Sequence, residues 1–376
     1  MIQVLLRLSQ MAPSVAEVEK PAQPNPVEAA KTGGKHLVTP DPSYAYAKYV
    51  PYGEEVTQTH PPLEYFDHVD PGSRANPAKP NLLTPEAKLH HLSPYLGTEV
   101  AGIQLSKLSK EGLDELALFV AERKLVIFRD QDLKDTSPDE QLAFTNNAAR
   151  HFGVPHVHPL PMNVKDYPSL FTTYRDENAQ GFATSLTQDK INYLGWHSDI
   201  SFEKQPAGTT FFYILDGPEV GGDTLYLSTV EAYNRLSPEF KKLLIGLKAV
   251  HSAAPFDRVS YAQGSKLRRE RVETEHPIVR VHPVTGEKSL YVNSNFTTHI
   301  VGFKKEESDA LLKFLYDHIA KGADYQVRAS YRPGTVAIWD NRVTAHSIVP
   351  DFESKLRRHH IRLTPQAEKP IAATEP

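Results

Sequence analysis

The chain runs to 376 residues, with 40% hydrophobic and 23% charged positions, 17 histidines, no cysteine and a formal net charge of −4. Absence of cysteine excludes disulfides, iron–sulfur clusters and thiolate-held zinc, so any metal must rest on imidazole and carboxylate. The near-balanced charge offers no field for nucleic acid or an anionic membrane, and no apolar run approaches the ~18 residues of a membrane span.

The opening stretch, "MIQVLLRLSQMAPS", carries Arg7 inside its apolar part and no acid before Glu17. It reads as a frayed tail rather than a secretory signal or an organelle-targeting segment, with Met11 as a second candidate start, and a cytoplasmic location is expected. Thirteen of the thirty prolines fall in residues 1–85. Proline withdraws a backbone donor and restricts the residue before it, so residues 1–85 are expected to form a largely irregular arm. Its aromatic part, "YAYAKYVPYGEEVTQTHPPLEYF", suits packing on the main domain or on a second subunit, which leaves a homo-oligomer open.

A globular pattern sets in at residue 86 and holds to 366, with 367–376 as a C-terminal tail. "LSKEGLDELALFVAERKLVIFRDQ" predicts a helix capped by Ser109, with Leu113, Leu116, Phe119 and Val120 on one face, running into a buried strand "LVIFRD". "SPDEQLAFTNNAARHFG" predicts a second helix with Ser137 as cap, Pro138 at its first position and Gly153 past its end. Strand-like runs follow: "LFTTYR", "TTFFYIL", "TLYLS", "HPIVRVHP", "SLYVN", "TVAIWD" and "HHIRLTP". Helical stretches "VEAYNRLSPEFKKLLIGL" and "KKEESDALLKFLYDHIAKG" lie among them. Many short strands with Gly/Pro turns indicate a mainly β domain, a sandwich or barrel with flanking helices. No Gly-rich loop opens a helix after a strand, which argues against a nucleotide fold.

Within "GWHSDISF", His197 and Asp199 stand two apart, and on a strand such residues point to one face. Neutral imidazole plus carboxylate is two-thirds of a facial triad that leaves positions open on ferrous iron. The pair alone is weak, because about one His-x-Asp arises by chance in a chain of this composition. A second copy, His68 and Asp70, lies in the arm and reads as incidental. A structural hydrogen-bonded pair is the plain alternative for His197 and Asp199. The C-terminal stretch "RPGTVAIWDNRVTAHSIVPDFESKLRRHHIRLTP" adds a candidate third ligand, His346, and arginines at 357, 358 and 362. Trp196 and Trp339 flank the two half-sites.

Ordered blocks extend the signal: "HVHP" (156–159), "WHSDISFEKQPAG" (196–208), "GGDTLYLS" (221–228), "LYVNSNFTTHIVGF" (290–303), "WDNRVTAH" (339–346) and "RRHHIR" (357–362). On these blocks the chain, over roughly residues 86–366, resembles the taurine dioxygenase family of Fe(II)/2-oxoglutarate-dependent oxygenases. The resemblance implies a double-stranded β-helix, or jelly-roll barrel. It implies iron held by His197, Asp199 and His346, with 2-oxoglutarate and O₂ as cosubstrates. Thr224 resembles the residue whose hydroxyl meets a 2-oxoglutarate carboxylate. Arg358 resembles the arginine that pairs with the distal carboxylate through its planar fork. Arg357 is the neighbouring choice, since the loop after His346 is one residue longer than usual.

Arg362 and His158 match the family's sulfonate contacts, and Phe296 is a candidate pocket wall. His156 is expected to be structural or to back a pocket residue, and Asn293 is a candidate amide that either lines the pocket or backs a residue that does. The plain alternative for "KLRRHHIR" is a basic surface run, of the kind "KLRRERVE" at 266–273 would make.

The implied reaction is hydroxylation of the carbon next to a sulfonate, releasing sulfite and an aldehyde in sulfur scavenging. The expected partner is a small anionic substrate, with neither nucleic acid nor membrane. Asn192 and Tyr193, in "INYLGWH", replace the Asp-Asn pair in which bacterial taurine enzymes resemble one another. Pro161 stands where those enzymes carry a tyrosine. Both departures point away from strict taurine specificity, toward other alkyl or aryl sulfonates. The alternatives are a same-family oxygenase acting on a sulfate ester, a carboxylate or xanthine, and a zinc hydrolase or non-catalytic barrel using the same three ligands.

Overall fold

Two apolar patterns of different period decide the architecture: alternating residues build the strands, and three-to-four spacing builds the helices laid outside them. The computed structural model describes residues 41–51, 60–160, 162–177, 195–256, 268–353 and 355–376. The expectations for Arg7, Met11, Pro161, Asn192 and Tyr193 lie outside these residues. The first strands are Lys88–His91 (β1), Thr98–Ala101 (β2), Leu125–Phe128 (β3), Val154–Pro155 (β4), Asn163–Val164 (β5) and Tyr167–Arg175 (β6). Next come Thr209–Asp216 (β7), Thr224–Ser228 (β8), Lys248–Ser252 (β9), Glu273–Pro277 (β10), Val279–Val281 (β11), Lys288–Leu290 (β12) and Thr297–Ile300 (β13). The last are Gln326–Ala329 (β14), Val336–Asp340 (β15), Thr344–Ile348 (β16), Arg358–Leu363 (β17), Pro365–Gln366 (β18) and Ile371–Ala372 (β19).

A large sheet of order β1-β2-β3-β15-β7-β17-β6-β5 faces a small one of order β14-β8-β16. The two inner faces meet through Phe212, Ile214, Tyr226, Val327, Tyr331, Ala337 and Trp339. This is the mainly β, jelly-roll architecture expected from the sequence. The outer face of the large sheet is covered by the helices Lys110–Arg123 (α1) and Pro138–Phe152 (α2). Leu116, Phe119, Val120 and Phe152 pack there against Phe211, Tyr213, Ile361 and Leu363. Burying each such side chain is worth about 1.5–3 kcal/mol relative to exposure.

The caps form where the sequence placed them. Ser109 accepts from the Gly112 amide, and Ser137 and Glu140 make a reciprocal capping box with Pro138 at the first turn. Three expectations change. The stretch "VEAYNRLSPEFKKLLIGL" is two helices, Thr229–Asn234 (α3) and Pro238–Leu244 (α4), because Ser237 and Pro238 start a new one. "HPIVRVHP" divides between β10 and β11. Within "KLRRERVE", Arg268 and Arg269 are buried, whereas Glu270 and Arg271 are exposed.

In the described part of the arm the regular elements are short 3₁₀ turns, Ala47–Tyr49 and Pro71–Arg74. Tyr49 is buried in the core beneath α1 and α2. Asp70 caps the second turn and pairs with buried Arg342, so this aspartate has a structural partner. At the other end, β19 adds to β11, and Glu368 pairs with Arg280 and Arg342.

Candidate active site

β16 carries His346 opposite Tyr226 of β8, so its imidazole enters the space between the sheets. His197 is tied to the same strand by a reciprocal bridge, its N–H donating to the His346 carbonyl and the His346 N–H to the His197 carbonyl. On a pleated strand His197 and Asp199 are expected to share one face. The structure gives His197 a single bridge, followed at once by a turn in which Ile200 has φ of 45°. The turn, rather than the pleat, carries the carboxylate back beneath the ring.

One ligand atom from each of His197, Asp199 and His346 lies within 4.8 Å of the others. Asp199 Oδ1 stands 4.0 Å from His197 Nε2 and 3.8 Å from His346 Nε2, and the two rings are 4.1 Å apart between centroids. His197 Nδ1 donates to the Gly195 carbonyl at 2.7 Å, which leaves the Nε2 lone pair for a ligand. Burial lowers both imidazole pKa values, that of His346 to about 3 with help from neighbouring His197. Burial opposes ionisation of Asp199, but Arg362, His346, His197 and the Thr210 hydroxyl together hold its carboxyl below the usual range. Two neutral imidazoles beside one carboxylate are the protonation states that bind a divalent metal. The donor set, two nitrogens and one oxygen on one side of a space, fits ferrous iron with positions left open.

Asp199 is held on every side. Thr210 donates its hydroxyl to Oδ2 at 2.8 Å, and Arg362 Nη1 donates to Oδ1 at 2.6 Å. Arg362 therefore has a protein partner that the sequence reading did not anticipate. Its guanidinium also lies 4.7 Å above the Phe171 ring. His158 packs against the same Phe171 ring, 4.3 Å away between centroids, and lies 4.9 Å from that of Phe256. Burial, then Arg362, drives the His158 pKa well down, so the ring is neutral, with Nδ1 accepting from the Leu160 amide at 3.1 Å. Phe296 is buried with its ring 5.9 Å from that of His197, edge to face. Arg362, His158, Phe171, Phe256 and Phe296 thus make one wall, cationic at a single point and otherwise aromatic.

Strand alternation sorts the arginines. On β17, Arg358, His360 and Arg362 share the inner face, whereas Ile361 and Leu363 join the helix-side core. Arg357 turns to Asp216 and to the Tyr44 ring of the arm. Arg358 donates to the Gly222 carbonyl at 3.0 Å and to His360 Nδ1 at 2.9 Å. Gly222 has φ of 71°, and a Cβ there would meet the Arg358 side chain at 3.0 Å, so only glycine admits the guanidinium so close. Thr224 follows at the start of β8, buried, beside a hydroxyl pair in which Tyr226 and Tyr331 are 2.9 Å apart. Of the sequence candidates, His197, Asp199, His346, Arg362 and Phe296 are brought into one cluster. His158 joins it through Phe171, and Arg358 and Thr224 form a second, polar end.

Two further residues stand behind these clusters. His156 is fully enclosed, its Nε2 3.0 Å from both Glu203 and Arg269, in keeping with a structural role. Asn293 stands behind the wall, accepting from the amide of Phe296 and donating to Ser201, which is the backing alternative of the two expected for it. Residues missed by sequence reasoning include His360, between the two arginines on the inner face, and Thr210 and Asn341 around Asp199. Only the period-two pattern of β17 could have marked His360.

A family model described as taurine catabolism dioxygenase TauD, TfdA family matches residues 88–364. An "alpha-ketoglutarate-dependent dioxygenase cnsP" of Penicillium expansum is 44% identical over 87% of this chain and 88% of its own length. An "alpha-ketoglutarate-dependent sulfonate dioxygenase" of Saccharomyces cerevisiae is 41% identical over 87% of this chain and 79% of its own. The crystal structure of a taurine dioxygenase from Burkholderia xenovorans superposes with a TM-score of 0.63, at 29% identity, over 78% of this chain and 93% of that one.

Proposed function

We propose that this chain, which belongs to the taurine catabolism dioxygenase TauD, TfdA family, is a 2-oxoglutarate-dependent dioxygenase that oxidises the carbon bearing a sulfonate. The observation that carries the reading is the convergence of His197, Asp199 and His346 beside two separate inward arginines. Iron(II) with 2-oxoglutarate and O₂ supplies the oxidation of a C–H bond, while the cosubstrate is converted to succinate and CO₂.

The chain's own residues supply positioning and charge. His197, Asp199 and His346 would hold the iron from one side. Arg358, with the Thr224 hydroxyl, would take the distal carboxylate of the cosubstrate, a planar fork against a planar anion. Arg362 and neutral His158 would meet the sulfonate, and Phe171, Phe256 and Phe296 would exclude water and pack on its carbon chain. Once the adjacent carbon carries a hydroxyl, the C–S bond breaks with its electron pair on sulfur. The hydroxyl proton leaves, a carbonyl forms, and sulfite departs as the aldehyde is released.

The relative from Saccharomyces cerevisiae is named for sulfonates, and the single-cation, aromatic wall supports an anionic head on an apolar body. A panel of alkyl, aryl and amino sulfonates, sulfate esters, carboxylates and xanthine is the test, with succinate and sulfite measured together. The expected result is equimolar succinate and sulfite from sulfonates. Succinate without sulfite across the sulfonates, with turnover of another anion, would overturn the substrate assignment.

A further inference from the structure

Asn341 sits one residue past β15, and its side-chain amide is saturated in a particular sense. Its Oδ1 accepts from the Asp199 backbone amide at 3.0 Å and from the Trp339 indole N–H at 3.1 Å. Its Nδ2 donates to Thr210 Oγ1 at 2.8 Å, and Thr210 in turn donates to Asp199 Oδ2 at 2.8 Å. The chain of bonds leaves the Asp199 amide, passes through Asn341 and Thr210, and returns to the Asp199 carboxylate. Thr210 is 0%, Asn341 1% and Asp199 2% exposed. In such surroundings a lost donor leaves an unpaired acceptor and is not replaced by water.

The same amide reaches the other half-site. Trp339, fixed by its bond to Asn341, lies 4.9 Å from the His346 ring, and Tyr226 lies 5.9 Å from that ring, nearly stacked. One residue thus holds the Asp199 backbone directly, its carboxylate through Thr210, and one imidazole through an indole.

We infer that Thr210 and Asn341 are positioning residues for Asp199. With its donor on Oδ2 and Arg362 on Oδ1, Thr210 fixes the rotation of the carboxylate and directs Oδ1 toward the two Nε2 atoms. Asn341 holds Thr210 in the rotamer that makes this donation, since its Nδ2 occupies the hydroxyl's acceptor side. The inference rests on the metal reading given above, and it adds that ligand geometry depends on a neutral hydroxyl–amide relay outside the ligand set.

The test is titration of the purified full chain with Mn(II) in the absence of cosubstrate, followed by calorimetry or by the free-ion paramagnetic signal. Thr210→Val keeps the shape and removes the donor; Thr210→Ser keeps the donor. The expected result is Mn(II) affinity weakened about 10- to 100-fold in Thr210→Val, as for other outer partners of metal ligands, and restored to within about threefold in Thr210→Ser. Thermal unfolding of the metal-free proteins is measured alongside. Wild-type Mn(II) affinity in Thr210→Val, with or without a lower melting temperature, overturns the inference and leaves Thr210 a packing residue. Should Thr210→Val not fold, Thr210→Ala replaces it in the same comparison with Ser. A wild-type chain that binds no Mn(II) contradicts the metal reading itself, so the two failures are distinguishable.

Discussion

Asp199 Oδ1 is the atom where the site's demands collide, since it faces two imidazole Nε2 atoms and also receives Arg362. This residue pair predicts unequal consequences for the two inward arginines. Arg358→Ala should raise the 2-oxoglutarate requirement tenfold or more with little change in the KM of the prime substrate. Arg362→Ala should raise the latter and, with its bond to Asp199 Oδ1 lost, also weaken metal binding; steady-state kinetics over both substrates at saturating metal would show a reversal if the two roles were exchanged. His360 accepts from Arg358 and, driven well below the usual histidine range by burial and then by Arg358, stays neutral and able to accept. His360→Leu is therefore expected to raise the 2-oxoglutarate KM severalfold at nearly constant kcat. The three candidate ligands stood out only through the ordered blocks that carry the family resemblance, because a His-x-Asp pair by itself arises about once by chance. Thr210 and Asn341 did not, because amides and hydroxyls pair with almost anything and their partners lie 131 and 142 positions away.

At the scale of elements, local chemistry was the readable part. Ser137 with Glu140 and Pro138, and Ser109 with Gly112, begin α2 and α1 where a side-chain acceptor precedes an apolar period. Ser137→Ala should cost about 1 kcal/mol, read from the urea unfolding midpoint at constant slope, with activity unchanged below the transition. The same rule applied at Ser237 would have divided the 230–247 stretch correctly. Short strands were harder. β1, β2, β9 and β14 went unremarked because four or five residues do not establish a period of two, and their identity comes from neighbours in the sheet. The turn after His197 was equally illegible: a residue with φ of 45° at Ile200 is a tertiary outcome that a β-branched side chain does not advertise.

Across the whole molecule, ionic groups tie distant segments to the barrel. Arg342, itself buried, pairs with Asp340, with Asp70 from the residues before the barrel and with Glu368 from those after it. Removing the guanidinium leaves buried carboxylates without compensation. Arg342→Met should therefore cost about 3–5 kcal/mol in unfolding free energy. Acid should act elsewhere. Burial depresses the pKa of both His276 and His359 to about 4. Between the ordinary value near 6.5 and about 4, the unfolded chain takes up these protons and the folded chain does not. Stability is then complete above pH ~6.5 and falls as the pH drops toward 4, on the order of 3 kcal/mol per histidine at the lower limit. A urea midpoint that rose between pH 7 and pH 5 would contradict this sign. No helix among the described residues is long and apolar enough to cross a membrane.

On the function proposed here, His197, Asp199 and His346 together grip one metal ion. Anomalous diffraction at the metal edge, from crystals grown with Mn(II) in place of iron, tests it most directly. The predicted result is a single strong peak bounded by His197 Nε2, His346 Nε2 and Asp199 Oδ1, absent from Asp199→Ala crystals. A peak elsewhere, or one that survives loss of the carboxylate undiminished, would contradict it.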